Sequence, residues 1–277
     1  MLKSMYSGIS GMKSNQTKMD VVGNNVANVG TTAFKKSTTR FSDALNQTII
    51  YSSVPGGKAG DPDVLGGVNP GQVGIGTKVS GIFRNMLQGA IQPTGRPTDI
   101  AIDGDGFFVV SVGPNQDAYT RDGSFTLDKN GNLVTSDGYK VLNAERKPIE
   151  IPKEKPNQSG EMQKVLSFNI SKEGGISYLL ADGSKIDNEQ ALKIAVFQNP
   201  EGLESLSGNL YGETANSGNA MYGVKYGIIK QGAVEMSNVD LSEEFTEMIV
   251  TTRAFQAAGK VITTSDELLQ EIINLKR

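Results

Sequence analysis

The 277-residue chain contains no cysteine, no histidine and no tryptophan. Without cysteine there is no disulfide, no thiolate zinc site and no thiol nucleophile. Without histidine there is no Ser–His–Asp system and no imidazole metal ligand. A cysteine-free chain is compatible with an extracellular location and does not establish one. No apolar run approaches the ~20 residues of a membrane span, so membrane insertion is not expected. The opening MLKSMYSGISGMKSNQTKMD lacks both the continuous apolar stretch and the small-residue cleavage site of a secretory signal. Any export is therefore expected to keep the N-terminus. Charge of one sign is missing too: 27 basic and 30 acidic residues are well mixed, net −3. That supplies no basic patch, so no nucleic-acid partner is expected.

Proline is absent from residues 1–29 and 240–277, and these two ends resemble each other and nothing between them. Met5, Ile9, Met12, Gln16, Met19, Val22, Val26 and Val29 recur at spacings of three and four. Phe245, Met248, Thr252, Phe255, Gly259, Ile262, Asp266, Leu269 and Ile273 do the same near the end. Such a narrow stripe is the seam of a coiled coil, made to face another helix. The first helix is expected over about Leu2–Asn28, about 40 Å long. Gly8, Gly11 and Gly23 each cost it roughly 1 kcal/mol relative to alanine, and Val21, Val22 and Val26 are β-branched. A weak helix with a narrow stripe needs a partner to cover it, so both ends are expected to be disordered in the free subunit. The second helix is expected over about Leu241–Leu275. Asn238 or Asp240 would cap it, Glu243 and Glu244 lie in its first turn, and Lys276 and Arg277 complement its C-terminal dipole.

Glycine, at 33 residues, is abundant and favours turns and hairpins. Residues 51–81 hold three prolines among many glycines and read as a long loop, either a contact with another chain or a disordered insertion. From about Ile82 to Ser237 the pattern is all-β, through DIAIDGDGFFVV, AYTRDGSFTL, NLVTSDGYKVL, LSFNISKEGGISYLLADGSKI and ALKIAVFQNP. Asp122-Gly123, Asn130-Gly131, Asp137-Gly138 and Asp182-Gly183 are hairpin signals, read as type I′ turns with φ > 0 at both central positions. The fold class is thus α+β: paired N- and C-terminal helices forming a coiled-coil core, with an inserted all-β domain. The expected division is 1–29 with 240–277 as the helical core, 30–81 as an extended inter-subunit linker, and 82–239 as a β-rich outer domain.

No catalytic constellation emerges. Asp99, Asp103 and Asp105 could suggest the carboxylate pair of a glycosidase, but they read better as turn residues between apolar runs. DKNGNL at 128–133 lacks the sixth-position glycine and twelfth-position glutamate of a calcium loop. Gly104 and Gly106 precede no helix, which removes a dinucleotide fingerprint. Catalytic residues, metal ligands and cofactor are each expected to be none.

The two ends carry a resemblance. MDVVGNNVANVGTTAFKKSTTRFSDAL (19–45) closely resembles the N-terminal signature of bacterial flagellar rod and hook subunits. Its Asn24, Asn25, Ala27 and Asn28 are followed by a Gly/Thr turn and by Phe34 and Lys35. GAVEMSNVDLSEEFTEMIVTTRAFQAAGKVITTSDELLQEI (232–272) resembles the matching C-terminal signature, with Ser237, Asn238 and Val239 leading into the helix. Thr252 stands where glutamine is common, and Ala258-Gly259 where Asn and Ser or Ala are common. Within the family, MLKSMYSGISGM, VNPGQVGIG and MSNVDLSEEFTEMIV look most like the short hook proteins of Gram-positive bacteria. The expectation is therefore a minimal hook subunit, with the distal rod as the alternative and a secreted cell-wall enzyme as a remote one.

That resemblance implies a non-enzymatic, mechanical role as a helical homopolymer that transmits torque as a universal joint. It implies export without cleavage through the flagellar type III gate, and location outside the cell in the hook and basal body. Partners would be the hook cap and the rod and hook–filament junction proteins. The terminal helices would form a coiled-coil inner tube lining the channel, assembled through Met5, Ile9, Met12, Met19, Val22, Val26, Phe245, Met248, Phe255, Ile262, Leu269 and Ile273. In related export substrates a Phe-x-x-x-apolar element aids recognition by the gate, and Phe41 to Leu45 has that form. On spacing alone, the same two residues read as one apolar turn packing on a neighbouring element.

Overall fold

In the computed structural model of the chain, residues 2–54, 66–113, 116–156, 162–223 and 227–275 are described. They form two compact units, one made of Met1–Val26, Ser37–Phe83 and Leu241–Arg277, the other of Ala27–Lys36 and Arg84–Asp240. The fold is mixed helix and strand, with one helix near each end of the chain and a strand-rich body.

The first unit holds helix α1 (Leu2–Ala27) and helix α2 (Leu241–Leu275). Helix α2 begins directly after Asp240, at one of the two expected capping positions. The basic pair expected at its C-terminal end, Lys276 and Arg277, lies outside the described residues. The expectation for 51–81 needs correction. Strand Ser37–Asp43 pairs with Thr77–Arg84, and Asn46–Ile50 runs antiparallel to Gly71–Gly74. Residues 37–83 therefore group with the helices, while 27–36 group with the strand-rich body. Gly and Pro punctuation masked short strands whose side chains are largely exposed, such as Ile49, Ile50 and Val73, and so show no half-buried alternation. Residues 55–65 of that expected loop lie outside the described residues.

The second unit is built around strand Phe107–Gly113, flanked by Gln116–Thr120, Lys140–Val141 and Ile194–Val196. Successive side chains on a strand point to opposite faces. Phe108 and Val110 thus enter one apolar cluster with Ile100, Phe125, Leu133 and Ile176, and Phe107 and Val109 enter another with Tyr119, Phe197 and Tyr211. The run FFVV is continuous because both faces of this strand are covered. Aromatic edges finish the packing, with Phe108 and Phe125 centroids 5.2 Å apart and Tyr119 and Phe197 4.7 Å apart. A four-stranded antiparallel sheet follows, from Glu154–Pro156, Met162–Ile170, Gly175–Leu180 and Lys185–Ala191.

The turn chemistry differs from the type I′ expectation. Gly131, Gly138 and Gly183 have φ of 84°, 87° and 77°, but their partners Asn130, Asp137 and Asp182 are not among the residues with positive φ. One left-handed residue per turn suffices when the turn carries a bulge. Gly123 has another role. A Cβ there would sit 1.5 Å from the Ile100 carbonyl oxygen, so glycine permits that close approach.

Candidate assembly site

Helices α1 and α2 run antiparallel, and small side chains set their spacing. Ser4 Oγ is 3.2 Å from Ser265 Oγ. A Cβ on Gly8 would meet Ile262 at 2.9 Å and the Ala258 carbonyl at 3.2 Å, and one on Gly11 would meet Ala258 at 3.7 Å. Gly259 faces the Met12 sulfur. Two of the glycines that weaken α1 therefore sit where the partner helix comes nearest, and Ala258 and Gly259, which depart from the family pattern, lie opposite them. Farther along, Lys18 pairs with Glu247. Both segments are helical.

The expected stripe is partly turned. Met248, Ile262 and Leu269 are half-buried, as are Met5, Met12, Met19 and Val26, and Val22 is buried. Phe245, Phe255 and Ile273 are 50%, 37% and 62% exposed, and Ile9 is 38% exposed. The side of α2 toward α1 is instead set by Glu244, Thr251 and Ser265, the buried residues of the helix. Small and polar groups take several of the close positions beside Ile262 and Met12, and Phe245, Phe255 and Ile273 are displaced to the flanks. A second apolar row, Val250, Val261, Leu268 and Ile272, runs along another side of α2 and is exposed. Sequence spacing missed it because only one stripe per helix was sought.

The signature asparagines are structural bolts. Asn25, buried, donates to the Ser37 carbonyl at 2.9 Å and to Glu244 Oε2 at 3.0 Å, and its Oδ1 accepts from Ser37 N at 3.0 Å. Asn28 Oδ1 accepts from the Thr31 hydroxyl, whereas Asn24 and Ala27 are exposed. Asn238 was one of the two expected caps of α2, but its side chain is engaged elsewhere. Its Oδ1 accepts from Lys36 N at 2.8 Å, and its Nδ2 donates to the carbonyls of Asn85 and Leu87 at 2.9 and 3.0 Å. The Phe34 carbonyl accepts from Asn238 N, and Ser237 Oγ from Val239 N.

Lys35 is buried in the strand-rich unit. Its Nζ lies 2.6 Å from Glu235 Oε1 and 2.8 Å from the Leu87 carbonyl, and Glu235 Oε2 lies 3.4 Å from Arg121 Nη1. Burial pulls the Lys35 ammonium below the usual lysine range, against the opposing pull of Glu235. Neither Glu235 nor Arg121 was singled out from sequence. The available signal was an acid inside the apolar strand Ala233–Glu235. Phe41 and Leu45, the export candidates, are 41% and 70% exposed, on and just after strand Ser37–Asp43. Among the described residues no group of three or more Asp or Glu is placed to hold a metal ion, and no helix is long and apolar enough to cross a membrane.

The chain thus carries a helix near each end with exposed apolar residues, and a strand-rich body. Comparison with known proteins identifies its family. The profile "Flagella basal body rod protein" matches residues 5–35. "Flagellar hook protein FlgE/F/G D1 domain" matches 101–178, and "Flagellar basal body rod FlgEFG protein C-terminal" matches 230–275. The chain is 47% identical over 282 residues to the flagellar basal-body rod protein FlgG of Bacillus subtilis (strain 168), with 100% of each chain covered. It is 38% identical over 283 residues, again with 100% of each covered, to the flagellar basal-body rod protein FlgG of Borreliella burgdorferi. To the flagellar hook protein FlgE of that organism it is 27% identical over a 449-residue alignment that covers 100% of each chain. The chain belongs to the flagellar rod and hook axial protein family, which is structural and not enzymatic.

Proposed function

We propose that this protein is a subunit of the distal rod of the flagellar basal body, polymerising into a tube through its terminal helices. The observation that carries the rod reading is length together with identity. Rod proteins align end to end over 282 and 283 residues at 47% and 38% identity, whereas the hook protein needs a 449-residue alignment and falls to 27%. The hook reading, which the short motifs of the two ends and VNPGQVGIG at 68–76 favoured, gives way on this ground. Those motifs are shared by both branches, so they carry membership and not position along the axis.

The tube is supported by the exposed apolar residues of α2. Phe245, Ile249, Val250, Val261, Leu268 and Ile272 lie open on a single chain. Apolar surface of that extent is normally covered by another protein surface. In this reading α1 and α2 form a coiled-coil layer with neighbouring copies. Export without cleavage through the type III gate, assembly under a cap and contact with neighbouring rod and hook proteins complete the proposal. Electron microscopy of basal bodies from a deletion strain tests it. Structures that stop short of the distal rod are expected. Complete rods that lack only a hook would return the assignment to the hook.

A further inference from the structure

Arg121, at the end of strand Gln116–Thr120, is 5% exposed. A guanidinium carries five N–H donors in a fixed fork. Its Nη1 reaches Glu235 Oε2 at 3.4 Å, and its Nε–H meets no acceptor among the described residues. Glu235 already accepts from Lys35 Nζ at 2.6 Å and from Gly89 N at 2.9 Å. Two buried cations thus share one buried carboxylate, and the further acid acting on Arg121, Asp105, is exposed. Burial lowers the pKa of both Arg121 and Lys35, as it does for cations whose charge is incompletely balanced.

A cavity of about 210 Å³ opens beside Arg121, walled by Met86, Phe107, Val196, Phe197 and Pro200. The guanidinium also lies over the Phe107 ring, 5.2 Å from its centroid. The cavity volume is below the roughly 300–1,000 Å³ of ordinary small-molecule pockets, which favours one small polar group over a nucleotide or a glycan. An apolar wall with a cation beneath it suits a carboxylate on a short aliphatic stem. Exposed Asp105 also lines the cavity and opposes a freely diffusing anion. A carboxylate held in place by an interface overcomes that opposition through its high effective concentration.

We propose that this cavity is a carboxylate site, filled in the assembled rod by an Asp or Glu side chain of a second copy of the chain. The second-copy assignment rests on the assembly reading above; the carboxylate site itself does not.

The test separates the two. Sodium acetate is titrated into the full-length subunit while the Arg121 Nε–H resonance is followed, with acetamide as the neutral control of the same shape. A saturable shift with acetate alone is expected, and no shift overturns the site. Asp105→Asn should tighten acetate binding severalfold. A loss of monomer thermal stability in that variant would make Asp105 the internal counter-charge and overturn the proposal. Arg121→Gln leaves Lys35 and Glu235 as a balanced pair, so its monomer midpoint should hold while assembly in a complemented deletion strain is lost. Normal assembly would refute the second-copy occupant. A lowered monomer midpoint would show Arg121 to be a structural counter-charge for Glu235 and overturn the site.

Discussion

Replacing Glu235 by glutamine perturbs the interior with the least change of shape. The carboxamide oxygen can still accept from Lys35 Nζ and Gly89 N, which now stand 2.6 and 2.9 Å from Glu235 Oε1. What disappears is the charge shared by Lys35 and Arg121. Removing one partner of a buried ion pair typically costs about 3–5 kcal/mol. Lys35 has an escape, the loss of its proton, which from an ordinary lysine pKa of ~10.4 costs about 4–5 kcal/mol at pH 7. The two estimates agree, so neutral Lys35 is the expected state of the folded variant. At ~2–4 °C per kcal/mol for a unit of this size, the thermal midpoint at pH 7 should fall by roughly 6–20 °C. The sign of the pH dependence follows. Folded Lys35 would be neutral and unfolded Lys35 protonated, so the unfolded state binds the extra proton and stability rises with pH. The deficit relative to the parent should close by about 1.4 kcal/mol per pH unit between pH 7 and pH 9. Circular dichroism melts of both proteins across that range provide the measurement. A midpoint within ~2 °C of the parent at pH 7 would refute the claim that the cluster is sealed from solvent.

Three further outcomes are expected. Phe255→Asp, at a position 37% exposed on the single chain, should leave the β-sheet circular dichroism and midpoint unchanged while abolishing rod assembly; basal bodies of normal length would show that the residue faces solvent in the polymer. Phe41→Ala combined with Leu45→Ala should reduce secreted subunit while cytoplasmic amounts hold, and normal secretion with defective assembly would return these residues to a packing role. Hydrogen exchange on the monomer should be faster throughout 2–27 and 241–275 than in strand Phe107–Gly113, whereas equal protection would overturn the view that the end helices need neighbours.

What could be read from the sequence divides along a physical line. Periodic burial leaves a periodic trace, so the terminal helices were placed to within a residue or two, and the strands around FFVV and GISYLL were found. Local backbone rules left a partial trace. Asn-Gly and Asp-Gly marked the turns, but the number of left-handed residues in each depends on how the flanking strands are bulged. Strands Asn46–Ile50 and Gly71–Gly74 left little, because their side chains are mostly exposed and glycine flanks the pairing. Long-range polar pairing left none. Asn25 with Glu244, Lys35 with Glu235 and Asn238 with Asn85 join residues separated by 219, 200 and 153 positions.

Those pairings also explain what the family signatures do at the helix ends. A helix surface can exchange one apolar residue for another of similar volume at modest cost, usually below about 1.5 kcal/mol. Asn25 has no such freedom. It must donate and accept at once with the Ser37 backbone, a geometry that aspartate or glutamine cannot reproduce. Asn238 has the same constraint against Lys36 N and two carbonyls. Each asparagine fixes the path of the chain next to a helix end, where a backbone without helical or sheet partners would otherwise leave polar groups unsatisfied. The stripe lets a helix associate, and the asparagines determine where the chain leaves it. Distinguishing rod from hook needs neither feature, since both serve any subunit built this way, and the proposed rod assignment rests on the length and identity of whole-chain relatives.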